Sequence, residues 1–376
     1  MHAVAFLSVS TLLLQLPLEA IASPLLGLGS VNDPRFQLYE VPTPLSGPCD
    51  LEHGPEGALW GQGVLNNIFF RLDPNTGNIE EYPIPFTTAL SAEPIRLPGV
   101  AKSLTDRTAF SCAIRTGADG NLYAGNGIRN QLLRINPTTK KIDVFQIPPT
   151  DPAGDLFFFN DLYSAKDGIW VTSTTANTFS FFPFSTEKFE THYAPTPLAL
   201  PLGLFVASDG VIYVAEFNAN KILTFDPKTK VTNEYVLPEL AQFPTVIRAE
   251  RNGWVYFAMF VGNGIGRINM ATREIQLFHT DKVGLTGAED TIDKYGGVWL
   301  SSLTRNQLSR LDTNTLTYSY VKFPTSVTNV NLPGIFGELP PVVDVAINYG
   351  PGDNLWFTSI LSNQVGRYNI TGLYNL

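Results

Sequence analysis

The sequence repeats one short pattern seven times, and this repeat limits the folds that the chain can adopt. In every copy an aromatic residue stands seven positions before an asparagine. The pairs are Trp60 and Asn67, Tyr123 and Asn130, Trp170 and Asn177, Tyr213 and Asn220, Tyr256 and Asn263, Trp299 and Asn306, and Trp356 and Asn363. Repeats with a fixed period are typical of solenoids and propellers, in which each unit packs only against its neighbours.

Each repeat unit contains four predicted strands. In the second unit these are AIRT, NLYAGN, QLLRINP and DVFQIP, with turn signals such as ADG between them. The seventh unit ends near Asn369 without a fourth strand, and the matching segment, FQLYEVP, lies at residues 36–42. An N-terminal strand that completes the last unit closes a circle and leaves no sheet edge unpaired. The sequence therefore predicts an all-β fold: one seven-bladed β-propeller of four-stranded blades over residues 23–376.

The repeated aromatic and asparagine are predicted to be structural. One aromatic per blade suits the space between neighbouring sheets, which pack about 10 Å apart. The asparagine directly after the second strand suits a turn with left-handed backbone geometry.

The first 22 residues resemble a signal peptide. An apolar stretch, AFLSVSTLLLQLPL, is followed by EAIAS, in which Ala20 and Ala22 form the small-x-small cleavage signature before Ser23. A buried N-terminal helix is the alternative.

A secreted or vesicular protein folds in an oxidising compartment, so Cys49 and Cys112, at equivalent places in adjacent units, are predicted to pair. A free catalytic cysteine is the alternative. The sequon at Asn369 predicts glycosylation.

Composition excludes several classes of function. The net charge is −9 with no basic run, which argues against a nucleic-acid partner. No run beyond the leader is long enough to span a bilayer. Four His and two Cys residues do not build a Cys-rich metal site. We expect a monomer or weak homodimer that acts on small apolar substrates.

The predicted ligand site lies where first strands start and second strands end. Long connections at 86–110, 148–159 and 325–342 are rich in Pro and apolar residues, which favours a lid over an apolar pocket; surface loops without a role are the alternative. Counting back from the turn glycines gives the first-strand positions Cys49, Cys112, Asn160, Leu202, Thr245 and Glu289, with the seventh near Val343 or Asp344. The second strands end at Gly63, Asn126, Ser173, Glu216, Met259, Ser302 and Ser359.

Residue types at these positions suggest roles. Catalytic hydrogen-bond donors are predicted at Asn126, Asn160, Thr245 and Ser302, with Ser173 as a further donor. Substrate-binding residues are predicted at Phe110, Phe158, Leu202, Glu216, Phe243, Met259, Glu289 and Asp344. The acidic residues Asp50, Asp161 and Asp290 lie close by in sequence, and each acidic group has the alternative of a simple turn acceptor.

Units such as GADGNLYAGNGIRNQLLRINPTTKKIDVFQIP resemble the repeats of streptogramin (virginiamycin B) lyase-like propellers along essentially the whole mature chain. The resemblance implies a histidine at a first-strand start, a glutamate two residues before it, a glutamate at a second-strand end, and Mg²⁺. None of the first-strand positions here is histidine, and Glu216 alone matches a glutamate.

Within that family the chain is similar to the hetero-Diels–Alderases of fungal tropolone–sesquiterpenoid pathways. The similarity rests on length, the leader, the Pro-rich connections and the cysteine pair in PCDLE and SCAIR. It implies a pericyclase that joins an apolar terpene alkene to a quinone-methide-type diene without a cofactor or metal. One alternative is a divalent-metal-dependent lyase or lactonase-like enzyme, with Mg²⁺ held by acidic residues such as Glu216 and Glu289. Another is a non-catalytic secreted binding propeller.

Overall fold

The computed structural model describes residues 33–44, 46–84, 112–127, 130–148, 161–281, 284–302, 307–322, 330–331, 338–339, 344–360 and 363–374. All regular elements of this part are β-strands. They are β1 (Phe36–Glu40); β2 (Pro48–His53), β3 (Leu59–Gly63), β4 (Ile68–Leu72) and β5 (Ile79–Pro83) in blade 1; β6 (Ile114–Thr116), β7 (Leu122–Asn126), β8 (Gln131–Ile135) and β9 (Ile142–Gln146) in blade 2; and β10 (Leu162–Ser164), β11 (Gly168–Ser173), β12 (Thr178–Pro183) and β13 (Glu190–Tyr193) in blade 3.

The second half continues in the same way. Its strands are β14 (Pro201–Val206), β15 (Ile212–Glu216), β16 (Lys221–Asp226) and β17 (Val231–Val236) in blade 4; β18 (Pro244–Arg251), β19 (Trp254–Met259), β20 (Gly264–Asn269) and β21 (Ile275–His279) in blade 5; β22 (Thr286–Ile292), β23 (Gly297–Ser302), β24 (Gln307–Asp312) and β25 (Tyr318–Lys322) in blade 6; the short pair β26 (Val330–Asn331) and β27 (Glu338–Leu339); and β28 (Asp344–Gly350), β29 (Asn354–Ser359) and β30 (Gln364–Asn369) in blade 7.

The N-terminal strand closes the ring, as the sequence predicts. Six four-stranded sheets each use consecutive strands, whereas the seventh has the order β1-β30-β29-β28. Strand β1 pairs antiparallel with β30, so that Leu38 stands opposite Gly366. The fold is therefore the predicted all-β propeller of seven four-stranded blades. The predicted leader at residues 1–22 lies outside the described residues.

The repeated asparagine has the predicted left-handed backbone in five of its six described copies, Asn67 being the exception, and it also anchors the connection between blades. Asn177, Asn220 and Asn363 have φ values of 59°, 56° and 59°. The Asn177 side chain donates to the Ala194 carbonyl (3.1 Å), and its Oδ1 accepts from the Ala199 N–H (2.9 Å). Asn220 and Asn363 make the equivalent bonds in their own connections. The residue thus satisfies backbone groups that would otherwise be buried unpaired.

An apolar core lies between each pair of neighbouring blades, and both blades contribute side chains to it. Tyr213 and Ala215 of blade 4, for example, pack with Ile247 and Phe257 of blade 5. The repeated Trp60 and Trp299 are fully buried in the same kind of layer. Since the first strands of adjacent blades also contact one another around the axis, they line the channel. We call the end of the propeller where first strands start and second strands end the site face.

Candidate functional site

An apolar cluster occupies the site face of blades 4 to 6. Leu202, Phe217 and Phe260 form its buried centre, with Leu200, Phe243 and Leu285 packed against them. The rings of Phe217 and Phe243 lie 5.0 Å apart. We call these six residues the mouth cluster. It brings together two of the predicted wall residues, Leu202 and Phe243, and adds Phe217 and Phe260, which follow Glu216 and Met259 directly in sequence.

Two bulky residues of the mouth cluster have left-handed backbones. Leu200 and Phe243 have φ values of 54° and 53°, and Gly47, at the equivalent position of blade 1, has 63°. Their carbonyl groups accept hydrogen bonds from the N–H groups of Phe217 (3.1 Å) and Phe260 (3.0 Å). A left-handed conformation costs a non-glycine residue about 1–3 kcal/mol and is concentrated at ligand sites. The strained backbone thus occurs at the two residues, Leu200 and Phe243, whose apolar side chains pack in the cluster.

Glu216 lies at the edge of the mouth cluster as a fully buried acid. It stands opposite Pro201, and so between Leu200 and Leu202 along the neighbouring strand. Burial raises the pKa of Glu216 to about 8; the Glu234 carboxylate adds to the shift by its charge and as an acceptor for the Glu216 proton, and the Lys221 ammonium opposes it. Glu216 is therefore mostly neutral at pH 7.

The other predicted donors are buried in the same ring, and most are already engaged. Thr245 Oγ1 donates to the Ala258 carbonyl and Ser302 Oγ to the Leu285 carbonyl, both at 3.4 Å. Ser173 Oγ donates to Asn130 Oδ1 (2.8 Å). Asn126 donates to Gln131 (3.3 Å), while its Oδ1 has no partner among the described residues.

The acidic residues of the first strands surround two arginines inside the channel. Arg115 contacts Asp50, Glu289 (2.9 Å) and Asp161 (3.8 Å). Arg248 bonds to Asp161 and lies 3.6 Å from Glu289. We call these five residues the channel cluster; they come from blades 1, 2, 3, 5 and 6. The cluster connects opposite sides of the ring and was not predicted.

Backbone groups complete the channel cluster. Asp50 accepts from the N–H of Ile114 in the next blade (3.0 Å), and Asp161 accepts in the same way from Leu204 (3.0 Å). Burial, with the repulsion of Asp50, raises the pKa of Glu289 well above its usual range, although both arginines oppose this. Glu289, which the sequence predicts to bind substrate, thus contacts Arg115 inside the protein. A sequence signal existed: Arg115 and Arg248 each stand three residues after the predicted first-strand position of their unit.

Strand register corrects the assignment of Glu289 to the position of Cys49. Thr291 pairs with Trp299 as Glu52 pairs with Trp60, so Glu289 is equivalent to Asp50 instead. The turn contains two glycines, and Gly296 (φ 89°) is the one with the left-handed backbone. Counting from Gly297 therefore shifted the unit by one residue.

The corrected register places Asp290 at a position where the six other blades have a buried Leu or Ile. These residues are Leu51, Ile114, Leu162, Leu204, Ile247 and Ile347. Neither carboxyl oxygen of Asp290 bonds to a side chain among the described residues. Burial raises the pKa of Asp290 well above its usual range, although the Arg248 guanidinium and the backbone N–H groups of Arg248 and Asp290 oppose this.

The predicted disulfide is present. Cys49 and Cys112 are bonded with their Cα atoms 5.1 Å apart, which links the inner strands of blades 1 and 2. No cysteine is free, so the alternative of a catalytic thiol is wrong. Two of the six first-strand positions compared with the lyase histidine are thereby covalently linked.

Met259 does not join the mouth cluster, and other predicted site residues are described only in part or not at all. Met259 is fully buried in the core shared by blades 4 and 5. Asp344 begins β28 opposite Ser359. Asn160, Phe110 and Phe158 lie outside the described residues, so their roles stay predictions.

Asn369 belongs to a repeated turn. Its Oδ1 accepts from the N–H of Thr371 (3.1 Å), as Asp73 accepts from Asn75 and Asp312 from Asn314. Its Nδ2 donates to the Gly352 carbonyl and to Asn354 Oδ1. The sequon thus coincides with the turn chemistry of the repeat, and glycosylation, which stays a prediction, requires that Nδ2 release both bonds.

The described residues do not fit the Mg²⁺ that the lyase resemblance implies. Among them, no group of three or more His, Cys, Asp or Glu side chains is arranged to hold a metal ion. His192 packs against the rings of Phe179 and Phe225, and His279 bonds to Glu239 away from the channel cluster. No helix of the described part is long and apolar enough to cross a membrane.

The model of the virginiamycin B lyase family matches residues 100–329. The chain belongs to this family. Among solved structures, it is similar to a streptogramin B lyase, with 20% identity, a TM-score of 0.68, and coverage of 89% of this chain and 97% of the other. It is also similar to the virginiamycin B lyase of Staphylococcus aureus, with 18% identity, a TM-score of 0.69, and coverage of 89% and 98%.

A third similar structure is a catalytically inactive histidine-to-alanine variant of the Staphylococcus aureus enzyme with quinupristin, at 19% identity and a TM-score of 0.69, covering 89% of this chain and 99% of the other. At these identities the structures support the fold alone. A comparison with proteins of curated function finds no match.

Proposed function

We propose that this member of the virginiamycin B lyase family is a pericyclase that joins a terpene alkene to a quinone-methide-type diene. The observation that carries the proposal is the mouth cluster. Leu200 and Phe243 stand at positions that correspond to a glutamate of the lyase pattern, and Leu202 stands at a position that corresponds to its histidine. An apolar surface therefore replaces acid–base groups at the family's reaction site.

A hetero-Diels–Alder reaction fits such a surface. One C–C bond and one C–O bond form as the π electrons of the alkene and the oxygen-containing diene redistribute, and no proton or leaving group is exchanged. The enzyme has to hold two apolar reactants at near-attack distance, an effect that contributes up to about 7–11 kcal/mol. The rings of Phe217, Phe243 and Phe260 offer planar apolar surface for this purpose.

In the proposed reaction, Glu216 provides the hydrogen-bond donor to the diene oxygen. The diene oxygen becomes more electron-rich in the transition state, and a fixed hydrogen-bond donor stabilises it. Glu216 is mostly neutral at pH 7 and can pass its hydrogen bond from the Glu234 carboxylate to a substrate oxygen, whereas the hydroxyl groups of Thr245 and Ser302 donate to backbone carbonyls. We therefore place Glu216 first among the donors.

The test measures product and enantiomeric excess with a quinone-methide-type diene and a humulene-type alkene in the presence of a metal chelator. Phe243→Ala is expected to slow turnover about 10- to 100-fold and to loosen stereochemical control, because about 1.5–3 kcal/mol of apolar contact is lost. Glu216→Gln should retain most activity, since an amide N–H still donates, and Glu216→Leu should lose more. Val231→Ala, an exposed apolar residue at the opposite end of the propeller, is the matched control.

Family membership favours a metal-dependent lyase as the second candidate, with Glu216 as its one matching residue. For that enzyme, chelator or Glu216→Gln alone should abolish activity while Phe243→Ala stays active. This outcome would overturn the pericyclase proposal. Tight retention of the substrates without turnover under any condition would instead indicate a binding propeller.

A further inference from the structure

Exposed apolar side chains concentrate at the site face of three consecutive blades. Of the seven large apolar residues that are well exposed in the described part, five lie at that face. They end the fourth strands of blades 3 and 4, occupy the connections that follow, or follow β19. We call them the apolar rim: Tyr193, Leu198, Val236, Leu240 and Val261. This surface is distinct from the mouth cluster and goes beyond the proposed reaction.

Hydrogen bonds join the segments of the rim into one surface. The Leu198 carbonyl accepts from Asn218 Nδ2 (2.8 Å), and Asn220 donates to the Glu239 carbonyl (2.8 Å) in the next connection. The Gly262 N–H, beside Val261, donates to the Gln242 carbonyl (3.0 Å). The rim therefore has a fixed base and is not a set of independent loops.

Each connection sends one apolar side chain outward and another inward. Leu198 is 68% exposed, whereas Leu200, two residues later, packs in the mouth cluster. Both have left-handed backbones, with φ of 54°. In the next connection the left-handed pair is Ala241 and Phe243, and Leu240, directly before Ala241, is 89% exposed. Each connection thus presents one exposed leucine close in sequence to a residue of the mouth cluster.

Polar groups at this surface are engaged within the protein. Lys221 forms an ion pair with Glu234 at 2.6 Å, and His279 Nε2 lies within hydrogen-bond distance of Glu239 (3.1 Å). The chain as a whole carries a net charge of −9, so an anionic surface repels it. An apolar rim without an excess of basic residues, on a protein of this sign, is complementary to an apolar interface with a zwitterionic surface.

We propose that the apolar rim docks on zwitterionic lipid bilayers, with Leu198 and Leu240 inserted at the interface and Tyr193 at headgroup depth. Single leucines on rigid tips suit shallow insertion, and tyrosine places its ring and hydroxyl on either side of such a boundary. Docking in this orientation presents the mouth cluster to the bilayer, from which apolar molecules partition.

Flotation with phosphatidylcholine vesicles tests the proposal on the purified secreted protein. The protein is expected to float with the vesicles, and Leu198→Ser combined with Leu240→Ser should lower the bound fraction at least tenfold. Val231→Ser combined with Leu373→Ser, at the opposite end of the propeller, is the matched control and should bind as the unchanged protein does. Far-ultraviolet circular dichroism and melting of each variant check that the fold is retained.

Three results would overturn the proposal. The first is no flotation with phosphatidylcholine vesicles, and the second is equal loss in the rim and control variants. The third is a concentration-dependent dimer in light scattering that the rim variants abolish while vesicle binding is absent, which would make the rim an interface between two copies. None of these measurements uses turnover, so the outcome is independent of the pericyclase assay.

Discussion

Replacing Glu216 with glutamine is expected to stabilise the protein at neutral pH and to leave its stability unchanged in acid. Burial raises the pKa of Glu216 from its ordinary value of 4.5 to about 8 in the folded chain. The folded state therefore keeps a proton that the unfolded state has released between these two values. The contribution of this side chain to stability is complete below pH 4.5 and is lost as the pH rises towards 8.

The magnitude follows from the same two values. Each pH unit above the unfolded pKa costs about 1.4 kcal/mol until the folded pKa is reached, so the loss at pH 7 is about 3 kcal/mol. Glutamine has nearly the same shape and stays neutral, so Glu216→Gln recovers this free energy. Urea unfolding should show the two proteins within error of each other at about pH 4, and the variant about 3 kcal/mol more stable at about pH 7.

The neighbouring carboxylate provides a control of opposite sign. Glu234 bonds to Lys221 and to Thr196, and these bonds hold its pKa below its usual range despite burial. Glu234→Gln should therefore be destabilising at neutral pH, and less so in acid. If Glu216→Gln shifts stability equally at both pH values, or lowers it at neutral pH, Glu216 is charged and partnered in the folded protein. Its role as a neutral donor then fails.

Three further changes test other parts of the structure. Asp290→Leu should stabilise the protein by about 1–3 kcal/mol, and more at pH 8 than at pH 5, because it replaces a buried acid of raised pKa at a position where the other blades have Leu or Ile; thermal unfolding at both pH values checks this, and a less stable variant contradicts the register. Deleting residues 34–42 should expose the edge of β30 and cause aggregation in size-exclusion chromatography, and a monomer with unchanged melting contradicts closure by β1. Replacing Cys49 and Cys112 together with serine should lower the free energy of unfolding by about 4 kcal/mol in the chain-entropy account of a 63-residue separation, and an unchanged denaturant midpoint contradicts it.

The sequence predicts the propeller well because its repeat is local and strictly spaced. The aromatic, the asparagine and the turn glycines each act within one unit, so their spacing alone indicates strand order. Closure by β1 is predictable for the same reason, since a missing fourth strand at one end of the chain matches a surplus strand at the other. The cysteine pair follows from its equivalent place in two adjacent units.

The channel cluster is not predictable by that reasoning. Arg115 and Glu289 are in contact across the ring but belong to blades 2 and 6, and no spacing rule within a unit relates them. The left-handed backbones of Leu200 and Phe243 also carry no sequence signal, because bulky residues rarely adopt this conformation. Glu289 was misaligned because two consecutive glycines offer two equally good turn positions.

Closure of the last blade by the first strand has a consequence for synthesis. Strand β1 leaves the ribosome more than 300 residues before its partner β30, so the chain holds an unpaired edge strand until β30 has been synthesised. Blades 1 to 6 can condense in order as they emerge, but the ring as a whole is completed only when β30 is free to pair. This contact has the largest sequence separation among the described strand pairs, and such contacts are slow to form because loop-closure entropy opposes them. We therefore expect ring closure to be the last step of folding, with an open, incomplete propeller as the species that precedes it.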